Sequence, residues 1–146
     1  MKEQDVEGKE LFKRFLEHFG YTDICFTGEF DFYDMYAKDP EGTICYYELK
    51  KRTAPHNNPF GDTIIEKPKF NKLKTLQSSN TKVFVVNIFL DNILTIIPLD
   101  SPHSEQVVYA QKTNNWSNEK VKKTFISYPN DKEYLYTYFP KFRKLR

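Results

Sequence analysis

The longest strongly apolar run, VFVVNIFLDNILTIIPL at residues 83–99, is the sequence feature that most narrows the choice of fold. Asp91 and Asn92 lie in its middle, and this pair favours a turn. We therefore predict two strands joined at that turn. Polar residues, Asn87 and Thr95 among them, interrupt the run, so it does not supply the 18 or more uninterrupted apolar residues of a transmembrane helix.

The N-terminus, MKEQDVEGKELF, carries charge where a signal peptide needs an apolar segment. We therefore expect a cytoplasmic protein with no membrane partner. A chain of 146 residues has the size of one domain, and we predict a single domain spanning residues 1–146. The two cysteines, Cys25 and Cys45, lie in strand-like segments, which favours buried thiols over a disulfide.

The first half of the chain predicts a helix followed by strands. Residues 4–19 place five apolar side chains at helical spacing, and Gly20 is a natural stop: Leu11, Phe12, Phe15, Leu16 and Phe19. Alternating aromatic and β-branched residues up to residue 52, divided by the turn KDPEG, then predict an antiparallel strand pair. A first strand precedes this pair at residues 24–27.

The second half is less regular. Residues 53–62 are rich in turn formers and predict a surface loop. Residues 63–76 predict a helix, with Pro68 in its first turn and apolar residues at helical spacing. Two or three shorter strands and a basic tail follow the apolar run. This order predicts an α/β or α+β fold, with one layer of sheet and helices packed on it.

Three residues form the candidate chemistry. Glu48 and Lys50 lie two positions apart at the end of the strand TICYYELKK, so their side chains point to the same face. Asp34 precedes Glu48 by fourteen positions, enough for two antiparallel strands and their turn. Two close carboxylates repel unless a cation lies between them, so such a pair suits Mg²⁺.

Other interpretations of these residues remain open. Glu48 and Lys50 can be a surface ion pair worth less than about 1 kcal/mol, with Asp34 an unrelated solvated acid. Asp31 is a competing acid, although its strand parity is opposite to that of Asp34.

The N-terminal helix, YDMYA, the turn and ICYYELKKR together resemble the PD-(D/E)xK nuclease core. The closest branch is the Holliday-junction-resolvase-like and restriction-endonuclease-like one, and the resemblance covers roughly residues 5–100. It implies a restriction-endonuclease-like α/β fold, with a central mixed sheet and two helices packed on it. It also implies that Asp34, Glu48 and the Leu49 carbonyl bind a divalent metal and that Lys50 assists hydrolysis. Asp34 ranks above Asp31 for this role because its context, YDMYA, resembles the family's strand better.

The resemblance further implies a carboxylate on the first helix. Family spacing favours Glu10, which lies nearly opposite the apolar face of the helix. Asp5 and Glu7 are the alternatives, and the choice between one and two metal ions stays open. The family pattern also has a proline before the strand aspartate, whereas Tyr33 occupies that position here.

Basic residues gather in clusters with aromatic residues between them, although the net charge is only +2. Such clusters suit a surface that follows a nucleic-acid backbone. We predict DNA contacts at Lys51 and Arg52, just after the Glu48 strand, and at Lys69 in the following helix. Solvated lysine-rich faces are the alternative.

Together these features predict a metal-dependent endonuclease that hydrolyses DNA phosphodiester bonds, with Mg²⁺ as cofactor and Mn²⁺ as its substitute. The resemblance implies branched, Holliday-junction-like DNA as substrate and a homodimer, because two symmetric cuts need two sites. A composition rich in Lys, Asn, Phe, Tyr and Ile suits an AT-rich genome and a phage origin. The rivals are an inactive nucleic-acid-binding domain of the same fold and a structural or inhibitor protein.

Overall fold

The computed structural model describes residues 3–28, 31–53, 55, 63–111, 120–129, 134–138 and 141–144. Within them the helices are α1 (Glu3–His18) and α2 (Lys67–Lys74). The strands are β1 (Thr22–Phe26), β2 (Met35–Lys38), β3 (Ile44–Lys51), β4 (Thr63–Glu66), β5 (Thr81–Ile88), β6 (Ile93–Pro98), β7 (Ser104–Gln111), β8 (Lys120–Tyr128), β9 (Leu135–Thr137) and β10 (Arg143–Lys144).

A seven-stranded mixed sheet forms the centre, in the order β1-β2-β3-β5-β6-β9-β10. Strands β3 and β5 run parallel, whereas the other neighbours in the described sheets run antiparallel. A parallel pair needs a crossover connection. Here the crossover contains β4 and α2, so it carries both elements onto one face of the central sheet. Strand β4 also joins β8 and β7 in a second sheet.

Helix α1 covers the opposite face of the central sheet. Its apolar side chains Phe12, Phe15 and Leu16 are almost fully buried. The helix ends in a glycine cap: Gly20 has a φ of 85°, and the N–H of Tyr21 donates to the Leu16 carbonyl at 3.0 Å. The predicted helix and its stop are therefore confirmed.

Two hydrophobic clusters follow from this arrangement. The cluster under α1 includes Tyr47, Val86 and Leu94 of the central sheet. The cluster on the other face joins the central sheet to α2 and to the second sheet, through the residues Val83, Val85, Ile97, Phe70, Leu73, Ile65, Ile126 and Tyr128. The middle of the central sheet, at β5 and β6, is thus buried on both faces.

The structure confirms several predicted elements. Strands β5 and β6 flank the turn at Asp91 and Asn92, and Asn92 has the positive φ of 64° that such a turn accepts. Pro68 lies in the first turn of α2. Both cysteines are free thiols, and Cys45 is buried as expected, whereas Cys25 is only half-buried. Neither helix combines the length and the apolar character needed to cross a membrane, in the part of the chain that is described.

Three expectations were wrong. The predicted helix at residues 63–76 is preceded by a strand, because Thr63–Glu66 forms β4 and pairs with β8. The expected single layer of sheet is two sheets, because β4, β8 and β7 form a separate three-stranded sheet. Strands β7 and β8, eight and nine residues long, are also not the short strands expected after the apolar run.

The β5–β6 hairpin offers a matched test of the core. Leu94 is 0% exposed and Leu90, at the turn, is 61% exposed. We expect Leu94→Ala to lower the free energy of unfolding by about 2–5 kcal/mol, because it removes buried methyl groups and leaves a cavity. Leu90→Ala is expected to change it by less than about 0.5 kcal/mol. Urea unfolding of both variants checks this, and similar losses would contradict the assigned core.

Candidate functional site

Asp34 lies immediately before β2, at the end of the sheet where the pairing of β2 with β3 begins. Its N–H donates to the Tyr47 carbonyl at 2.8 Å, which extends the backbone ladder by one bond. Its Oδ2 accepts the N–H of Leu49 at 2.7 Å. Strand β3 extends past the first residue of β2, and there the Asp34 side chain takes the place of a strand neighbour as hydrogen-bond acceptor. This bond fixes the carboxylate at the edge of β3, beside Glu48.

Glu48 is the buried acid of the site. Its residue is 6% exposed, and the buried Oε2 atom accepts no hydrogen bond of good geometry from the described residues. The Nζ atom of Lys69 lies 3.3 Å from this oxygen. A buried carboxylate oxygen with a single cation beside it and no hydrogen bond retains unused capacity as an acceptor.

Burial, and after it the nearby Asp34 carboxylate, together raise the pKa of Glu48 from 4.5 to about 7. The ammonium groups of Lys69 and Lys50 oppose this rise. These influences show that Asp34, Glu48, Lys50 and Lys69 are electrostatic neighbours. The predicted trio is thus brought together, and Lys69 joins it from α2.

Lys69 reaches Glu48 because of the crossover. Helix α2 begins at Lys67, and its buried Phe70 and Leu73 anchor it to the second hydrophobic cluster. Lys69 lies at the edge of that buried face, with its side chain 35% exposed. The sequence predicted a DNA contact for Lys69, and the structure adds an ion pair with the buried acid.

A polar network lies further along the same face of the sheet. Asn87 of β5 is the register partner of Lys50 and is 0% exposed. Its Oδ1 accepts the Nε–H of Arg52 at 2.9 Å, and its Nδ2 donates to the hydroxyls of Thr63 at 2.7 Å and Thr95 at 3.1 Å. Burial lowers the pKa of the half-buried Arg52.

The remaining predicted residues lie elsewhere. Lys51 points to the opposite face of the sheet, where its Nζ pairs with Glu7 of α1 at 2.8 Å. Glu10 is exposed on α1. The side chain of Asp5 lies outside the described residues. DNA contact by Lys51 and metal binding by a carboxylate of the first helix stay predictions.

The donor set fits a hard divalent cation. Asp34 and Glu48 offer two neighbouring carboxylates, and the Glu48 Oε2 has spare acceptor capacity. The N–H and C=O of a strand residue point to the same side, so the Leu49 carbonyl faces the side of Asp34. In the described chain no group of three or more Asp, Glu, His and Cys residues can hold a metal. Mg²⁺ needs only one or two carboxylates, since it keeps several waters.

Neither a protein-family model nor a curated protein sequence matches the chain. A search of solved structures finds a similarity to Archaeoglobus fulgidus Hjc, a Holliday junction resolvase from an archaeal hyperthermophile. The match has a TM-score of 0.50 and 14% sequence identity, and it covers 82% of each chain. The two chains share a fold. This similarity confirms the predicted restriction-endonuclease-like α/β fold, with its central mixed sheet and two helices.

Sequence reasoning missed two parts of the site. The ion pair between Lys69 and Glu48 depends on where the crossover leaves α2, for which the residues gave no local signal. Asn87 did leave a signal, because it is a lone amide in the apolar strand VFVVNIF. A polar residue at a buried strand position requires hydrogen-bond partners, and those partners here include Arg52.

The raised pKa of Glu48 predicts a pH dependence of stability. Between pH 4.5 and about 7 the folded protein holds a proton that the unfolded chain has released, so its stability falls as the pH rises through this window. The loss is on the order of a few kcal/mol. We expect Glu48→Gln, which cannot ionise, to be more stable than the wild type above pH 7.

Urea unfolding with a metal chelator present, at several pH values, checks this expectation. The difference between the two proteins should grow from pH 4.5 to 7 and then stay constant. Glu41→Gln is the matched control, because Glu41 is an exposed residue in the β2–β3 turn. A constant difference for Glu48→Gln across the whole range would contradict the assigned burial cost.

Proposed function

We propose that this protein is a metal-dependent deoxyribonuclease that hydrolyses phosphodiester bonds, with branched DNA as its substrate. The observation that carries the proposal is the pair of carboxylates at the end of β3. Asp34 is fixed there by the Leu49 N–H, and Glu48 keeps a buried oxygen without a hydrogen bond of good geometry from the described residues. Two neighbouring acids repel each other, so this pair, with Lys50 on the same face, suits a role in phosphoryl transfer better than a purely structural role.

Asp34, Glu48 and the Leu49 carbonyl are the residues that would hold the cation, which we propose to be Mg²⁺, with Mn²⁺ as a substitute. When bound, such an ion polarises the phosphate and lowers the pKa of water. The protein supplies two fixed carboxylates, so little reorganisation is needed to bind the ion. The proposed ligands come from β3 and from the residue preceding β2, two segments that the Asp34–Leu49 bond ties together.

Lys50 is the proposed catalytic lysine. It follows Glu48 by two residues on the same face and is exposed, so its ammonium can approach a bound phosphate. Positive charge there offsets the negative charge that develops on the phosphate as the P–O bond breaks. Lys69 is a second cation beside Glu48, and we propose that it contacts the DNA phosphates together with Arg52 on this face of the sheet. We propose a separate phosphate contact for Lys51 on the face that carries α1.

The similarity to Hjc, named as a Holliday junction resolvase, supports the choice of branched DNA. We further propose that the chain belongs to the PD-(D/E)xK nucleases and is of phage type. A single cytoplasmic domain that acts as a homodimer fits this proposal, because paired cuts across a junction need two sites related by symmetry.

A cleavage assay tests the proposal. The protein is incubated with a four-way junction, a duplex or single-stranded DNA, in Mg²⁺, Mn²⁺ or EDTA. We expect cutting of the junction in Mg²⁺ or Mn²⁺ and none in EDTA. Asp34→Asn, Glu48→Gln and Lys50→Ala should each lower the rate by at least about 100-fold, because each removes a group that acts on the phosphate or its cation.

Asp31→Asn is the matched control, since Asp31 is a nearby exposed acid whose Oδ2 accepts the Gly28 N–H. It should cut at the wild-type rate. Cleavage that survives EDTA, or that is lost in Asp31→Asn and kept in Asp34→Asn, would contradict the proposed mechanism. Binding of the junction without any cutting would support the alternative, an inactive DNA-binding domain of this fold.

A further inference from the structure

Arg52 is held in a defined direction just beyond the candidate active site. Its backbone N–H donates to the Ile88 carbonyl at 2.8 Å, so the chain is still tied to β5 at this point. Its Nε donates to Asn87, which is the register partner of Lys50. The side chain of Arg52 therefore turns back toward Lys50 and Glu48 instead of extending away from the sheet.

Asn87 is suited to hold that direction. Its amide nitrogen donates both hydrogens, one to Thr63 and one to Thr95, and flipping the amide would place these hydrogens against the Nε–H of Arg52, which is also a donor. Its oxygen must then face Arg52. The two threonines belong to β4 and β6, so strands of both sheets fix one acceptor. Because Asn87 is completely buried, water does not compete for these bonds.

The guanidinium is a planar fork with five N–H donors, and fixing Nε orients the two terminal nitrogens as well. Planar forks of this kind recognise phosphate oxygens through paired hydrogen bonds. Glu48 and Lys50 alternate on one face of β3, and Arg52, just beyond the strand, continues the alternation with its Cα about 13 Å from that of Glu48. Its Nε is held at Asn87, level with Lys50 and about 7 Å along the strand from Glu48, so the guanidinium is offset along the strand from the acids.

We propose that Asn87 is a positioning residue that aims Arg52 at a DNA phosphate adjacent to the scissile one. This inference rests on the proposed nuclease function and deepens it, because it assigns a second phosphate site on the Glu48 face of the sheet. The site recognises the sugar–phosphate backbone and therefore carries no sequence preference.

The test measures DNA binding in EDTA, where no metal-dependent cutting occurs, as a function of salt concentration. Each phosphate contact by a cation contributes about 0.9 to the slope of log K against log salt on duplex DNA. We expect Arg52→Gln to reduce the magnitude of the slope by about this amount. Lys38→Gln, which removes the same charge from an exposed pair with Asp23 at the opposite end of the strands, should leave the slope unchanged.

Asn87→Ser separates positioning from charge, because it keeps Arg52 and replaces the amide oxygen that directs it by a shorter hydroxyl. We expect the same reduced slope as for Arg52→Gln, and no further reduction in the double variant. A merely structural role for Asn87 would lower stability without changing the slope. Circular dichroism verifies that each variant folds, and if Asn87→Ser does not, Arg52→Gln alone still decides whether the phosphate site exists.

The outcomes distinguish this inference from the proposed function. A wild-type slope in folded Arg52→Gln, from a protein that cuts DNA, would overturn the phosphate site and leave the nuclease proposal standing. A reduced slope in Arg52→Gln with a wild-type slope in Asn87→Ser would overturn the positioning role. A wild-type protein that binds no DNA would overturn both proposals.

Discussion

The parallel pairing of β3 with β5 is the constraint on which the rest of the structure depends. Two parallel neighbours cannot be joined by a tight turn, so the chain must leave the sheet and return. The segment that returns contains β4 and α2, and both come to lie on the face that carries Glu48. Lys69 and Thr63 reach the site only through this detour. The topology of one strand pair therefore decides which side chains surround the buried acid.

The site is also where the protein accepts an energetic cost. Burying an ionised carboxylate is unfavourable unless hydrogen bonds or opposite charges compensate. Glu48 has Lys69 nearby but also has the Asp34 carboxylate beside it, and its Oε2 makes no well-formed hydrogen bond with the described residues. The Asn87 side chain, next along the face, behaves differently, since both of its N–H groups donate and its oxygen accepts a hydrogen bond. On this face, among the described residues, the oxygen without a well-formed hydrogen bond is that of Glu48, where a cation would complete its coordination.

Local patterns were sufficient to predict the trio, and long-range contacts explain what they missed. The two-residue repeat of a strand put Glu48 and Lys50 on one face, and the length of one hairpin put Asp34 beside them. Strand β4 was missed because its four residues adjoin a helix and its partner Ile126 lies about 60 positions away from Ile65. No local pattern could show that Lys51 pairs with Glu7 across the other face, because that contact depends on how α1 docks.

The hydrogen bond between Asp34 and Leu49 gives one side chain two separate duties. As an acceptor it takes the place of a missing strand neighbour, and as an anion it shapes the field around Glu48. An amide at position 34 retains a carbonyl oxygen and can perform the first duty without the second, whereas an alanine performs neither. The backbone arrangement at the edge of β3 can therefore be kept when the negative charge at position 34 is lost. A chain that drifted away from catalysis could preserve this fold intact with one changed atom in one side chain.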